Sequence, residues 1–473
     1  MNNKIYSSEN EGKGVKKRIG LITPYQGFNF GDGAIQDAMI HGLNKIDSSV
    51  ECYGITLYPA DTEHRHGILS IPITGLVVKN YSEPEMLFTQ KLLPPQRSLD
   101  ENQARQIEEE PPLTGWRKYV DMLRDVKNLP YLGSMLRFGV FRIRELQVVA
   151  VEVREIFHAY NFARNLDLLV LSGGGQLDEA HGGPWGHPYA IYRWSLIGRL
   201  TRTPFVVASN GSAIIRPGLT DWFLKKGLKS AVYRSYRDVG TRDQLSPWGF
   251  TKNDPIVRDL ALGIDPAPYF SLEKKVNSQL VVAISPIYHS GPSYTTYDSF
   301  VEGISDLIQW LVERGDSVKL FRTTSIERLV LRDVWINLRQ RFGEGINNKV
   351  KEIEAPCYQD LLKEIVVADL VVASRLHSII LSHVLNKPTL AISWDRKVEA
   401  HMKDLDQEQY MINIHSLNGN ILKDKFEELE RDSEKVKKSL ESHISNFQSD
   451  LDQQYKTLLQ IAGNYSPDDI KIN

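Results

Sequence analysis

Short apolar runs without polar alternation recur along this chain, each followed by a stretch of helical period. Asp167–Leu171 and Ala368–Ala373 show the pattern. Such runs read as strands buried on both faces, the signature of a parallel sheet. A repeated strand–helix rhythm of this kind points to an α/β architecture with helices on both sheet faces.

The rhythm runs twice. The first series predicts strands at Arg18–Thr23, Glu51–Thr56, Asp167–Leu171, Pro204–Ser209 and Ala231–Asp238. A Pro-rich junction at Asp265–Pro268 separates it from a second series at Gln279–Ser285, Ser317–Phe321, Lys349–Glu354, Ala368–Ala373 and Thr389–Ser393. A length of 473 residues exceeds what one core usually serves, so two domains are expected. The expected organisation is a tail without fixed structure at 1–17, a Rossmann-like domain at 18–268 with a helical insertion around 80–160, a second Rossmann-like domain at 269–420, and a helical segment at 421–473 that packs back on the domains. Within the insertion, residues 116–144 carry seven Lys and Arg against two Asp, interleaved with Trp116, Tyr119, Tyr131, Phe138 and Phe141. Such a stretch suits an anionic membrane surface, or simply a solvated helical face.

Composition excludes several classes. A net charge of −2 argues against nucleic acid as a partner. Cys52 and Cys357 are the only cysteines, which rules out a disulfide framework and a Cys-based zinc site and fits a reducing cytoplasm. Residues 1–17 have no apolar core of a signal peptide. No run approaches the roughly 20 apolar residues of a membrane helix.

Polar residues gather at the strand ends. After the first strand, Asn29, Gly31 and Asp32 precede a helix expected at Ala34–Leu43; the glycines do not follow the dinucleotide fingerprint. Asp32 could equally cap that helix. Gly173, Gly174 and Gly175 follow the Asp167 strand and imply close backbone approach to a substrate or to the facing domain. Gln176 and Asp178 come next, within a segment rich in His and aromatic residues that suits a sugar. His181 and His187 match no metal-site spacing. Arg237 ends the Ala231 strand. Ser374-Arg375-Leu376-His377-Ser378 forms the turn between the Ala368 strand and a helix. There Arg375 suits a phosphate or carboxylate, helix N–H groups attract anions, and His377 titrates near neutral pH. A buried Arg paired to a carboxylate, beside a His at a helix start, is the alternative.

Asn29-x-Gly31-Asp32, the triple glycine, Arg237-Asp238, Ser374–Ser378 and Trp394-Asp395-Arg396-Lys397 occur in that order. Together they resemble the polysaccharide pyruvyl transferase family, over roughly residues 17–414. The resemblance implies a GT-B-like pair of Rossmann-like domains with an interdomain cleft. It implies pyruvyl transfer from phosphoenolpyruvate to two hydroxyls of one sugar, in exopolysaccharide or other cell-envelope synthesis. It implies Arg237, Arg375, Leu376, His377 and Ser378 as the donor site, with His377, Arg375 and Lys397 catalytic. Acceptor contacts are expected at Asn29, Gly31, Asp32, Gly173–Gly175, Gln176 and Asp178. No cofactor and no metal are expected. The acceptor is expected to be a sugar, free or lipid-linked, and the protein to lie in the cytoplasm or at the inner face of the membrane, with 116–144 as the contact. Two other readings stay open: a glycosyltransferase with a nucleotide-sugar donor, and a non-catalytic glycan binder of the same fold.

Overall fold

The computed structural model describes residues 16–24, 29–76, 150–179, 182–213, 215, 217–270, 279–288 and 294–464. Thr74–Ala159 form one compact unit, and the rest of the chain forms another that holds both sheets. In the smaller unit the Gly75 amide donates to Glu152 at 2.7 Å. The basic stretch at 116–144, the acidic loop before it, His181 and most of the N-terminal tail lie outside the described residues.

The first sheet comprises β1 (Arg18–Ile22), β2 (Glu51–Thr56), β3 (Ser70–Pro72), β4 (Leu168–Leu177), β5 (Phe205–Ser212) and β6 (Tyr233–Tyr236). Their order across the sheet is β3-β2-β1-β4-β5-β6. The second sheet comprises β7 (Val281–Ser285), β8 (Ser317–Leu320), β9 (Val350–Glu352), β10 (Leu370–Ala373), β11 (Thr389–Ser393) and β12 (Met411–Asn413), in the order β12-β11-β10-β7-β8-β9. All pairings are parallel. Counted from its own first strand, each sheet has the order 3-2-1-4-5-6 of a doubly wound fold. The central strands earn their place by composition: Leu168–Leu171 and Leu370–Ala373 are fully buried, as strands covered on both faces must be.

Where chain order reverses, connections leave to opposite faces and a crevice opens at the strands' carboxyl ends. In the first sheet this point lies between β1 and β4; in the second, between β7 and β10. The segments around Asn29, Gly175 and Arg375 all leave these strands.

Two local expectations need correction. The first helix runs Phe30–Ile46, and its N-cap is Asn29, whose side chain accepts from the amides of Gly31 and Asp32. Asp32 lies in the first turn and accepts from Asn29 Nδ2 at 2.9 Å. Asn29 holds the extended backbone just before the helix, where its side-chain oxygen reaches both amides, so it takes the cap. The triple glycine sits inside β4, which continues to Leu177, because Gly174 and Leu177 still pair with β5. The C-terminal segment comprises two helices, Gly419–Arg431 and Ser433–Asn464, with Asp432 ending the first.

The last helix returns across the first sheet's layer. Gln454 Nε2 donates to Ser209 at 3.0 Å, Tyr455 donates to the Ala38 carbonyl, and Lys45 pairs with Asp452 at 2.7 Å. Leu440, Leu451, Tyr455 and Leu458 are fully buried along one stripe. Period-3.6 apolar spacing in a charged helix demands such a partner surface. No helix among the described residues is long and apolar enough to cross a membrane.

Candidate active site

The helix Leu376–Val384 begins directly after β10, with Arg375 at its N-cap. This places His377 in the first turn, facing the start of the Phe30–Ile46 helix. A Cβ on Gly31 would lie 2.0 Å from His377 Nδ1. Only glycine leaves room for the imidazole there, so Gly31 and His377 are packed as a pair.

On the other edge of the ring, His377 Nε2 stands 3.7 Å from Asp259 Oδ2. The same carboxylate oxygen accepts from Arg237 Nη1 at 3.1 Å. Asp259 and Arg237 are both buried. Burial alone would raise the Asp259 carboxyl, but the facing imidazole and the Arg237 guanidinium outweigh it and hold it below the usual carboxylate range. Arg237 Nη2 has no hydrogen-bond partner among the described residues. A buried guanidinium with an unfilled donor is an anion site in waiting.

Lys397 enters from the second sheet. It lies in the first turn of the Arg396–Asp404 helix after β11, whose N-cap Asp395 accepts from the Lys397 amide at 3.1 Å. A Cβ on Gly175 would lie 3.3 Å from Lys397 Nζ, so the lysine spans to the first sheet. Arg237, Asp259, Leu376 and Lys397 line one depression with Arg258, His401 and Asp404. Arg258 is committed to Asp404 at 2.9 Å.

Arg375 is oriented differently. Its Nε donates to Glu327, which is wholly buried. Glu327 also accepts from the amides of Thr323 and Thr324 at 2.7 and 3.2 Å. Burial raises its carboxyl and Arg375 works against that rise. The Thr323–Thr324 segment in turn accepts the Phe30 amide at 2.9 Å and bridges to Asn29. Glu327 therefore ties the Arg375 turn to the Asn29 turn across the two sheets. The guanidinium is partly exposed beyond this contact.

The remaining residues named from sequence divide by environment. Ser378 is buried and shares a hydrogen bond with Ser285 at 2.9 Å, so it holds the helix start against β7. Gln176 is buried: its amide donates to the Ser172 and Gly173 carbonyls, and its oxygen meets His187 at 2.8 Å. The close approach that Gly173 permits, at φ +57°, is to Leu260 and Ile35, and Gly174 faces Ile35. Of the three glycines, Gly175 is the one that meets Lys397. Asp178 is buried beyond β4. Among the described residues no cluster of His, Cys, Asp or Glu suits a metal ion.

Asp259, Glu327, His401 and Arg258 were not singled out by sequence. Thr324-x-x-Glu327 is a readable capping box, and both of its arms are present. Asp259 gave no comparable signal, since Val257-Arg258-Asp259-Leu260 is an ordinary mixed segment. His401 and His383 stack at 5.2 Å and share a hydrogen bond of 3.0 Å behind the site. Burial drives both below the ordinary imidazole value, His401 to about 3.

Residues 29–396, which hold Asn29, Gly31, Arg237, Asp259, Arg375 and His377 and end one residue before Lys397, match the family described as polysaccharide pyruvyl transferase. The chain belongs to the polysaccharide pyruvyl transferase family. No curated protein matches it. The fold is GT-B-like. A glycosyltransferase from Rickettsia africae ESF-5 is similar over 95% of this chain and 100% of its own, at 10% identity and TM-score 0.54. A UDP-GlcNAc 2-epimerase from Neisseria meningitidis bound to UDP-GlcNAc is similar over 94% and 99%, at 12% identity and TM-score 0.53. A putative UDP-N-acetylglucosamine 2-epimerase from Listeria monocytogenes is similar over 96% and 98%, at 9% identity and TM-score 0.52. At such identities the likeness carries the fold alone.

Proposed function

We propose that this transferase moves a pyruvyl group from phosphoenolpyruvate onto two hydroxyls of one sugar in a polysaccharide or glycolipid precursor, forming a cyclic ketal and releasing phosphate. The observation that carries the reading is the Arg237–Asp259–His377 contact, with Lys397 on the same depression. Two cations, a helix start and an imidazole converge where a small, highly charged donor needs counter-charge and a proton.

Arg237 and Lys397 bind the donor's phosphate and carboxylate, and the outer edge of Arg375 adds a third cation. Asp259 keeps the His377 ring in place and shares Arg237, which leaves the unfilled Nη2 for the donor. A sugar oxygen attacks C2 of phosphoenolpyruvate as protonated His377 delivers a proton to the C3 methylene, which becomes the methyl group. The C2–O bond to phosphate then breaks, and the second hydroxyl closes the ring on C2. One hydroxyl proton replaces the one His377 gave; the other leaves with phosphate. The cations and the helix amides favour the departing phosphate. The acceptor enters past Asn29, Asp32 and Gly175.

The alternative donor is a nucleotide-sugar, which proteins of similar fold bind. Thermal unfolding separates the two. Phosphoenolpyruvate should raise Tm in a concentration-dependent way, and UDP-sugars should not. Protection by UDP-sugars alone overturns the reading.

A further inference from the structure

The helices His187–Thr201 and Leu219–Lys229 pack side by side, with Gly227 against Ile191 and Tyr192. Their inner faces are ordinary core: Ile191, Trp194, Phe223 and Leu224 are buried. Their outer faces are not ordinary surface. Trp185 is 57% exposed, Leu196 41%, Leu200 62%, Leu219 40% and Trp222 44%. Tyr189, Tyr192, Leu196 and Leu200 recur at three- and four-residue spacing, so they form one stripe along the first helix. The stripe is continuous with the second helix: Tyr192 meets Trp222 at 5.1 Å between ring centroids, and Trp185 meets both Tyr189 and Phe223. Single exposed apolar residues need no explanation, but two tryptophans and three leucines on one connected face do.

The polar residues on the same pair of helices decide what covers it. Lys225, Lys226, Lys229, Arg199 and Arg202 are all exposed, against the single acidic Asp221. In a chain of net charge −2 this is a local concentration of positive charge. Aromatic and aliphatic side chains fringed by lysine and arginine match the boundary of an anionic bilayer, where rings sit at headgroup level and basic side chains meet phosphates.

We propose that this two-helix face docks the protein on an anionic lipid bilayer. The stripe starts at Trp185, eight residues after the end of β4, whose Gly175 meets Lys397. On the reading proposed above, such docking suits a lipid-linked sugar acceptor. The docking itself does not depend on which reaction the site performs.

The test is sedimentation of the full chain with vesicles of phosphatidylglycerol and phosphatidylcholine, beside vesicles of phosphatidylcholine alone. The wild type should bind the anionic vesicles at low salt at least about tenfold more tightly than the neutral ones, and salt should weaken this. The double variant Leu196→Asp, Leu200→Asp should lose at least about tenfold in binding, and the triple variant Lys225→Glu, Lys226→Glu, Lys229→Glu should lose the preference for anionic lipid. All five positions are exposed, and each variant's thermal unfolding confirms its fold. A wild type that stays in the supernatant overturns the proposal. So does a Leu196→Asp, Leu200→Asp variant that binds like wild type, which would move the contact elsewhere in the chain. Concentration-dependent dimerisation in solution that the same variant abolishes, without vesicle binding, would overturn it in favour of a self-association face.

Discussion

The Asp259 carboxylate faces His377 at 3.7 Å and holds Arg237 at 3.1 Å, so one buried acid organises two of the groups expected to meet the donor. The imidazole does not face cations alone, since Arg375 is turned to its own partner, Glu327.

Asp259→Asn keeps the shape and removes the charge. A buried guanidinium would then face a neutral amide. Removal of one partner of a buried pair costs about 3–5 kcal/mol, and the lower part of that range is expected because the Asn oxygen still accepts. Chemical denaturation at pH 7 measures it. The carboxyl is held below its unfolded value, so its stabilisation is present above about pH 4 and is lost as pH falls further. The variant should lack that acid limb; an unchanged limb would assign it to other carboxylates.

Gly31→Ala introduces a Cβ where His377 Nδ1 now lies, 2.0 Å away. Either the ring or the first turn of the helix must shift. A misplacement near 1 Å costs on the order of 10²-fold in turnover. Ala is a better helix former than Gly, so Tm should change by only a few degrees. Full activity in Gly31→Ala would show that His377 need not hold this position.

Glu327→Ala removes the acid that carries Arg375 and the Thr323 and Thr324 amides. Arg375 loses its only charged anchor among the described residues, and the Asn29 turn loses its brace. A destabilisation of about 3 kcal/mol or more is expected, with weaker phosphoenolpyruvate binding in the folded fraction. Glu327→Gln, which keeps an acceptor, should retain more of both. Equal behaviour of the two variants would show that a neutral acceptor at this position contributes nothing without the charge.

His383 and His401 are buried in the neutral form. In the unfolded chain each titrates near pH 6.5. Between that value and about pH 3 for His401 the unfolded chain binds the extra proton, so folding stability falls as pH falls. Each histidine contributes a slope of up to about 1.4 kcal/mol per pH unit in this window. Urea denaturation between pH 5 and pH 8 should show the decline, and it should be shallower in His401→Gln. Stability that rises as pH drops below 6.5 would contradict a neutral pair.

Much of this arrangement was legible in the sequence, because the signals were local. Unalternating runs such as Leu168–Leu171 give buried parallel strands, and residues just past a strand end fall at the crevice whatever the detail. Arg237, Arg375 and His377 stand out that way, whereas Lys397 came only with the family resemblance. What escaped depends on distant packing. Nothing near Asp259 in the chain announces a contact with residue 377, over a hundred positions later. Gly173 and Gly175 look alike in sequence, yet one meets Leu260 and Ile35 and the other meets Lys397. Which aromatic rings of the segment Leu177 to Tyr192 are exposed is likewise decided by which neighbours arrive, not by the local pattern.

Phosphate release from phosphoenolpyruvate, read against galactose-, mannose- and glucose-type acceptors, tests the central claim most directly. The account predicts release with one acceptor class, and a product heavier than that acceptor by one pyruvic acid less one water. His377→Gln should lose roughly 10²–10⁴-fold in turnover while binding phosphoenolpyruvate to within about tenfold. No phosphate release with any acceptor, alongside consumption of a UDP-sugar, would contradict pyruvyl transfer. Wild-type turnover in His377→Gln would contradict the role of the imidazole.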